Sequence, residues 1–268
     1  MLGISDTVVS EETMTTLQQR TKAWHSARAG KLTASNLAGV LGLSQFSSRS
    51  ESYDRLMGRS KFEGNDATRW GAANEQNGIN AYQTRTGNLV EPTGLWTHTD
   101  FMWLAGSPDG LIGSAGMLEV KCPYYRKIPH QKIPIYYYIQ IIACLEMTNR
   151  EWCDYVCWTP NSGTTMFRVM RDHELFDFLL PWWGQVYSCL QRGVEQLPPL
   201  KPEAKVGIEK RVRESMEANI NYTFYDRAPD EPDSPPCLSS HDPDSGLEDE
   251  KVESDCQTTK RQKLNSET

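Results

Sequence analysis

Apolar and polar positions change texture along the chain. Over residues 11–27 they predict a helix that buries Leu17, Ala23, Trp24 and Ala27. The run AGKLTASNLAGVLG predicts a loop and a second helix, with Thr33 or Ser35 as N-cap and Gly42 as its stop. SRSESYDRLMG predicts a short third helix. DATRWGAANEQNGINAYQTRTG predicts a long amphipathic one, starting near Asp66 and ending at Gly87, with Trp70, Ala73 and Asn77 on one side and Ala81 a turn on. After Gly87 short strands follow: NLVEP, LWTHT, FMWLAG, GLI and GMLEVK, separated by Gly and Pro. PIYYYIQIIACLEM reads as a helix. EWCDYVCWTP and TTMFRVMR read as a hairpin around NSG, and HELFDFLLPWWGQVYSCLQRGV as a helix bent or interrupted near Pro181. Residues 201–221 read as a last, mostly charged helix. This order predicts an α/β (α+β) fold, a central mixed β-sheet flanked by helices.

Composition narrows the class. The 268 residues, 38% of them hydrophobic, suffice for one sizeable core. No run of eighteen apolar residues occurs, so no membrane partner is expected. The start lacks the charged and apolar regions of a secretory signal, and seven scattered cysteines suit reduced thiols in an intracellular protein. The net charge of −7 belongs to the tail: residues 228–268 hold eleven Asp/Glu and four Lys/Arg, leaving residues 1–227 balanced. The acidity therefore says nothing against a nucleic-acid ligand for the body. From about Asp226 the chain is rich in Pro, Ser and acids, and it is expected to be disordered. The expected organisation is a folded domain over 1–225 and an acidic tail over 226–268. KRQK at 260–263 reads either as a solvated charge cluster or as a weak nuclear-import signal, which would place the protein in the nucleus.

One stretch carries chemistry: SPDGLIGSAGMLEVKCP, residues 107–123. Strand alternation sends Glu119 and Lys121 to one face and Leu118 and Val120 to the other. A turn near GSAG brings Asp109 back beside Glu119. Same-face placement in simple antiparallel register needs an odd-numbered loop or a bulge. Two carboxylates and an ammonium on one sheet face suit Mg²⁺- or Mn²⁺-assisted hydrolysis, in which a metal polarises a phosphoryl oxygen and acidifies water. The competing reading is a surface hairpin with an ordinary ion pair. Helix spacing puts Tyr136, Gln140 and Cys144 on one face of their helix and Ile135, Ile139 and Ile142 on another, so Gln140 can face the sheet edge.

SPDG…LEVKCP resembles the PD-(D/E)xK nuclease motif, and the chain resembles the lambda-exonuclease family (the YqaJ-type viral recombinase domain) within that superfamily. Four further blocks agree in order: WHSARAGKLTASNLAGVLG, WGAANEQNGINAYQTRTG, YYYIQIIACLEMT and EWCDYVCWTP. The resemblance covers about residues 20–195. It implies a restriction-endonuclease-like core, with Asp109 and Glu119 as metal-binding acids and the Val120 carbonyl as a further ligand. Lys121 is implied as the catalytic lysine, Glu75 as a helix acid of the metal site, and Gln140 as the active-site glutamine. Arg28, Ser35 and Ser107 match residues that, with the glutamine, hold a DNA terminal 5′-phosphate. A guanidinium suits that anion, and Ser35 sits near a possible helix start.

The function expected is a divalent-metal-dependent deoxyribonuclease, 5′-to-3′ on double-stranded DNA with an end, acting in recombination or repair. Its direction and its need for an end come from the resemblance alone, as do a homotrimer and a single-strand annealing partner. The alternatives are a structure-specific endonuclease of the same superfamily and a non-catalytic DNA-end-binding scaffold. Cys153 and Cys157 share a strand face without the further ligands a zinc or iron–sulfur site needs. His25, His98, His130 and His173 lack metal-ligand spacing, and Trp182 and Trp183 read as core rather than base-stacking residues.

Overall fold

The computed structural model describes residues 14–15, 17–60, 64–125 and 128–226. In chain order come β1 (Met14–Thr15), α1 (Lys22–Arg28), β2 (Leu32–Thr33), α2 (Ala34–Val40), α3 (Arg49–Leu56) and α4 (Asp66–Thr86). Then follow β3 (Leu95–Thr97), β4 (Leu104–Gly106), β5 (Gly110–Ile112), β6 (Gly116–Lys121), α5 (Ile135–Thr148), β7 (Trp152–Trp158) and β8 (Thr164–Met170). α6 (His173–Gln191), α7 (Pro202–Asn219) and β9 (Ile220–Asp226) complete the described chain.

The strands form two mixed sheets, ordered β1-β3-β4-β2 and β5-β6-β7-β8-β9. The chain passes from one to the other through Ser107-Pro108-Asp109, between β4 and β5. Each sheet has one parallel pair, β2–β4 and β6–β7, and the rest are antiparallel. The parallel β6–β7 pair needs a crossover, and α5 is that crossover. On one face of the second sheet Leu118, Val120, Val156 and Met166 pack with Tyr82 of α4. On the other, Met117, Cys153, Tyr155 and Cys157 join the main core around α5. Ile139, Ile141, Ile142 and Leu145 of α5 are wholly buried, each worth about 1.5–3 kcal/mol. Both faces of β6 are thus covered, and its charged residues must be satisfied inside the protein.

Two helix ends follow sequence chemistry closely. A reciprocal capping box joins Ser48 and Glu51 at the start of α3. Gly87 closes α4 in the left-handed conformation, φ 72°.

Several expectations need correction. Among the described residues of 11–27, helix is confined to α1; Met14 and Thr15 are a strand, and Arg20 has φ 66°, which an α-helix does not accommodate. Ala23 is exposed, and only Trp24 of the expected four is fully buried. NLVEP contributes a single bridge from Glu91 to Leu111 rather than a strand. α6 runs through Pro181 uninterrupted. β9 begins at Ile220, where the last helix was expected to continue. Residues 227–268, including KRQK, lie outside the described residues.

A candidate active site at the end of strand β6

The hairpin meets the register demand that its sequence sets. Gly110 pairs with Leu118, Leu111 with Met117 and Ile112 with Gly116, leaving residues 113–115 as a three-residue loop. Gly113 takes φ 53° there, which a glycine adopts without strain. Asp109 follows Pro108 at the point where the β5 ladder ends. Its backbone N–H donates to the Leu118 carbonyl at 3.0 Å. Its Oδ2 accepts the Val120 N–H at 2.7 Å, so the side chain takes over the pairing where the strand stops.

Glu119 is 1% exposed. Its Oε1 receives the Lys121 ammonium and the Gln140 amide, the latter at 2.6 Å. Its Oε2 is buried and makes no hydrogen bond among the described residues. Lys121 also lies over the Tyr137 ring, 4.8 Å from its centre. Burial would lower the Lys121 pKa, but Glu119, then Asp109 and Tyr137, outweigh it and hold the amine well above its usual value. Asp109 is raised too, which for a carboxyl disfavours the charged form: burial first, then the Glu119 charge, raise it well above the ordinary range, against Lys121 and the Val120 hydrogen bond. The Glu75 charge adds to that rise. Glu75 itself sits on α4 one turn before Gly78. A Cβ at Gly78 would come within 2.4 Å of Val120 Cγ1, so α4 lies directly against β6 at this point. The Glu75 carboxylate is paired with the Arg20 guanidinium.

A second cluster adjoins the first. Arg28 lies over the Trp24 ring, 4.0 Å from its centre. Trp24 Nε1 donates to Ser107 Oγ at 3.0 Å, and Arg28 Nη2 to Ser35 Oγ at 3.5 Å. Ser107, the residue before the PD pair, is thereby bonded to α1, and Trp24 and Arg28 carry the link on to Ser35 in the first turn of α2. Ser35 is exposed and Thr33 holds the N-cap position, without a side-chain cap bond. Burial pulls the Arg28 pKa down to about 10, opposed weakly by Cys144. No carboxylate pairs with Arg28 among the described residues, so a desolvated cation stands here without a counter-ion.

The structure brings Asp109, Glu119, Lys121 and Gln140 together, sets Glu75 across from them, and joins Arg28, Ser35 and Ser107 through Trp24. The sequence reading missed three residues. Tyr137 lies three before Gln140, a spacing that puts both on one helix side and could have flagged it. Trp24 was read as core; its place four residues before Arg28 on a helix hinted at the stacking. Arg20 left no local signal, because its partner is 55 residues away.

The donor set at Asp109 and Glu119 fits a hard divalent cation: carboxylate oxygens, one of them buried and unbonded. The Val120 carbonyl faces the same edge, since the N–H and C=O of one strand residue point together and this N–H meets Asp109. Among the described residues, no three His, Cys, Asp or Glu side chains gather as one ligand cage. The five described cysteines are all free thiols, and Cys153 and Cys157 are buried core residues, as is Trp183. A cleft of about 570 Å³ lined by Gln45, Phe46, Arg49 and Lys205 lies elsewhere, beside α3.

Two mixed sheets flanked by helices, with a carboxylate pair at the Pro-Asp corner, form a fold of the alkaline-exonuclease class. The crystal structure of an alkaline exonuclease (LHK-Exo) from Laribacter hongkongensis is 26% identical, with a TM-score of 0.50 over 74% of this chain and 100% of that one. LHK-Exo in complex with dAMP is 25% identical, with a TM-score of 0.51 and the same coverage. Residues 23–151 match the family model of the YqaJ-like viral recombinase domain. A curated relative, Uncharacterized protein R354 from Acanthamoeba polyphaga mimivirus, is 26% identical over 157 residues, 52% of this chain. The chain spans 29% of that relative's length. No helix among the described residues is long and apolar enough to cross a membrane.

Proposed function

We propose that the protein is a divalent-metal-dependent nuclease that hydrolyses double-stranded DNA from an end, 5′ to 3′. The observation that carries this reading is the unbonded, buried Oε2 of Glu119 beside Asp109. A buried carboxylate oxygen without a partner is costly unless something absent from the apo chain engages it.

Asp109, Glu119 and the Val120 carbonyl would hold Mg²⁺ or Mn²⁺, which when bound supplies charge stabilisation at a phosphoryl oxygen and acidifies water. Lys121 places a positive charge beside Glu119 where charge develops on the phosphate in the transition state. Gln140 and Lys121 both fix Glu119 through Oε1, which leaves Oε2 directed by its surroundings. Arg28, with Ser35 and Ser107, would hold the terminal 5′-phosphate: its guanidinium is desolvated and uncompensated, and it is prevented from swinging by the Trp24 ring. Capturing the end phosphate beside the acids would position the first phosphodiester for attack, as an exonuclease acting in DNA recombination or repair requires. By family likeness, the enzyme would work as a homotrimer with a single-strand annealing partner; its scattered cysteines suit the cell interior, and the composition of 226–268 makes that tail dispensable to the nuclease.

The test is digestion of 5′-phosphorylated linear duplex beside closed circular DNA, with Mg²⁺ and then with EDTA. Loss of linear DNA alone, abolished by EDTA, supports this reading. Loss of both substrates would instead mark an endonuclease. Loss of neither, with DNA ends still bound, would mark a scaffold.

A further inference from the structure

The Lys121 ammonium meets a charge and a ring face. It is paired with Glu119 Oε1, and it lies over the Tyr137 ring, 4.8 Å from the centre. Tyr137 precedes Gln140 by three residues on α5, so one side of this helix presents a ring to the lysine and an amide to the glutamate. The ring is itself held. Tyr136 meets it edge-on at 4.5 Å and 63°, and the Tyr155 and His130 rings each lie 6.0 Å from it. Tyr155 is wholly buried opposite Glu119 in the β6–β7 register, and its hydroxyl is hydrogen-bonded to His130 Nδ1 at 2.6 Å. His130 is buried in turn. Its backbone N–H donates to Cys157 Sγ at 3.1 Å, and its carbonyl accepts from Thr165 Oγ1 at 2.8 Å. The core and strands β7 and β8 therefore set the place of the Tyr137 ring. Lys121, a point charge on a flexible stem with 20% of its side chain exposed, has no such fixture of its own.

We propose that Tyr137 is a positioning residue whose ring face fixes the Lys121 ammonium at the hydrolytic centre. The inference rests on the nuclease reading above and deepens it. On that reading Glu119 is shared: a cation at its carboxylate draws on the charge that holds the ammonium, and repels the ammonium directly. The attraction of the ring face does not pass through Glu119, so it persists when a cation is bound. Tyr137 thus serves the lysine as Gln140 serves the glutamate.

The experiment replaces Tyr137 in the full-length protein by Phe, and then by phenylalanines carrying one, two and three ring fluorines. Each fluorine withdraws negative charge from the ring face with little change of shape. The first readout is metal-free: lysine Hε resonances of isotope-labelled protein in EDTA, with Lys121 assigned by the signal missing from Lys121→Arg. In the wild type and in Tyr137→Phe, the Lys121 Hε protons should lie upfield of those of the other lysines, as protons over an aromatic face do. The second readout is kcat and KM on 5′-phosphorylated linear duplex in Mg²⁺. Relative to Tyr137→Phe, kcat should fall stepwise with fluorine number, reaching about five- to thirtyfold, the rate equivalent of one cation–π contact, with KM unchanged. A merely structural ring would leave the series flat, because shape and burial are kept. An active wild type with a flat kcat series, or a Lys121 signal indistinguishable from those of the other lysines, overturns this inference alone. A wild type that releases nucleotides from no DNA overturns the nuclease reading and this inference with it.

Discussion

Gln140 Nε2 donates to Glu119 Oε1 at 2.6 Å, and that same oxygen takes the Lys121 ammonium. One oxygen of the buried carboxylate is therefore saturated by the protein, while the other has no partner among the described residues. The amide comes from the crossover helix α5, whose isoleucines are locked in the core. Gln140 thus transmits the rigidity of the core to the acid. Gln140→Ala should weaken Mn²⁺ binding about 10–100-fold, the usual effect of losing a residue that orients a metal ligand. Thermal stability should change little by comparison. Unchanged metal affinity would show that Glu119 is held without it.

Asp109 faces a buried like charge, and its carboxyl is raised well above the ordinary range by burial and by Glu119. A carboxyl with a raised folded-state pKa binds its proton more readily in the folded state than in the unfolded one. Its contribution to stability is therefore greatest below the unfolded value and is lost as pH rises through the folded value. In EDTA near neutral pH, Asp109→Asn should melt at a higher temperature than wild type, because the amide oxygen can still accept the Val120 N–H. The variant should also show a flatter dependence of Tm on pH between the two values. It should hydrolyse no DNA. A lower Tm in EDTA would mean that the carboxylate stabilises the apo fold.

Arg28 presents the opposite case, a cation whose pKa burial lowers to about 10. Its charged form destabilises the fold at neutral pH, and that cost is relieved as pH rises from about 10 toward the unfolded value. An anion bound against it offsets the same cost. A 5′-phosphorylated oligonucleotide duplex should therefore raise Tm more than its 5′-hydroxyl twin at pH 7–8. Arg28→Ala should abolish the difference and slow digestion of 5′-phosphorylated ends more than that of 5′-hydroxyl ends. Equal slowing on both ends would remove the phosphate pocket from the account.

Gly78 lets α4 lie against Val120. A methyl group there would come 2.4 Å from Val120 Cγ1 and 3.4 Å from Trp158 Cβ, with β6 unable to move because its other face packs on α5. Gly78→Ala should cost about 1–3 kcal/mol, the usual penalty for overpacking. It should also shift Glu75 and the Val120 carbonyl, so that Mn²⁺ affinity falls together with Tm. A variant as stable as wild type, with unaltered metal binding, would show that the helix has slack.

The legible parts of this protein were those governed by local periodicity. α4, α5 and the β7–β8 hairpin were readable because each carries a long run of one period with a clear stop, such as Gly87. The hairpin that sets Asp109 beside Glu119 was readable because an odd-numbered loop is a matter of counting. β9 was missed: Ile220, Tyr222, Thr223, Phe224 and Tyr225 are strand formers, but a single short run beside a charged helix was read as that helix's end, and pairing with β8 settles it. The N-terminal corner failed similarly. The apolar spacing before Trp24 suits a helix, but the left-handed Arg20 and the bonds from Gln19 to Pro108 are long-range facts. At the site itself, residue identities were readable and their partners were not: the Lys121–Tyr137 and Arg20–Glu75 pairs exist only once the sheet is assembled.

On the proposed function, Asp109, Glu119 and Lys121 form one hydrolytic site. It is tested most directly by nucleotide release from a 5′-phosphorylated linear duplex in Mg²⁺, comparing wild type with Glu119→Gln, both checked for cooperative melting and for DNA-end binding. Mg²⁺-dependent release by the wild type, and none by a folded, DNA-binding Glu119→Gln variant, is the result expected. Comparable release by both proteins would contradict the account.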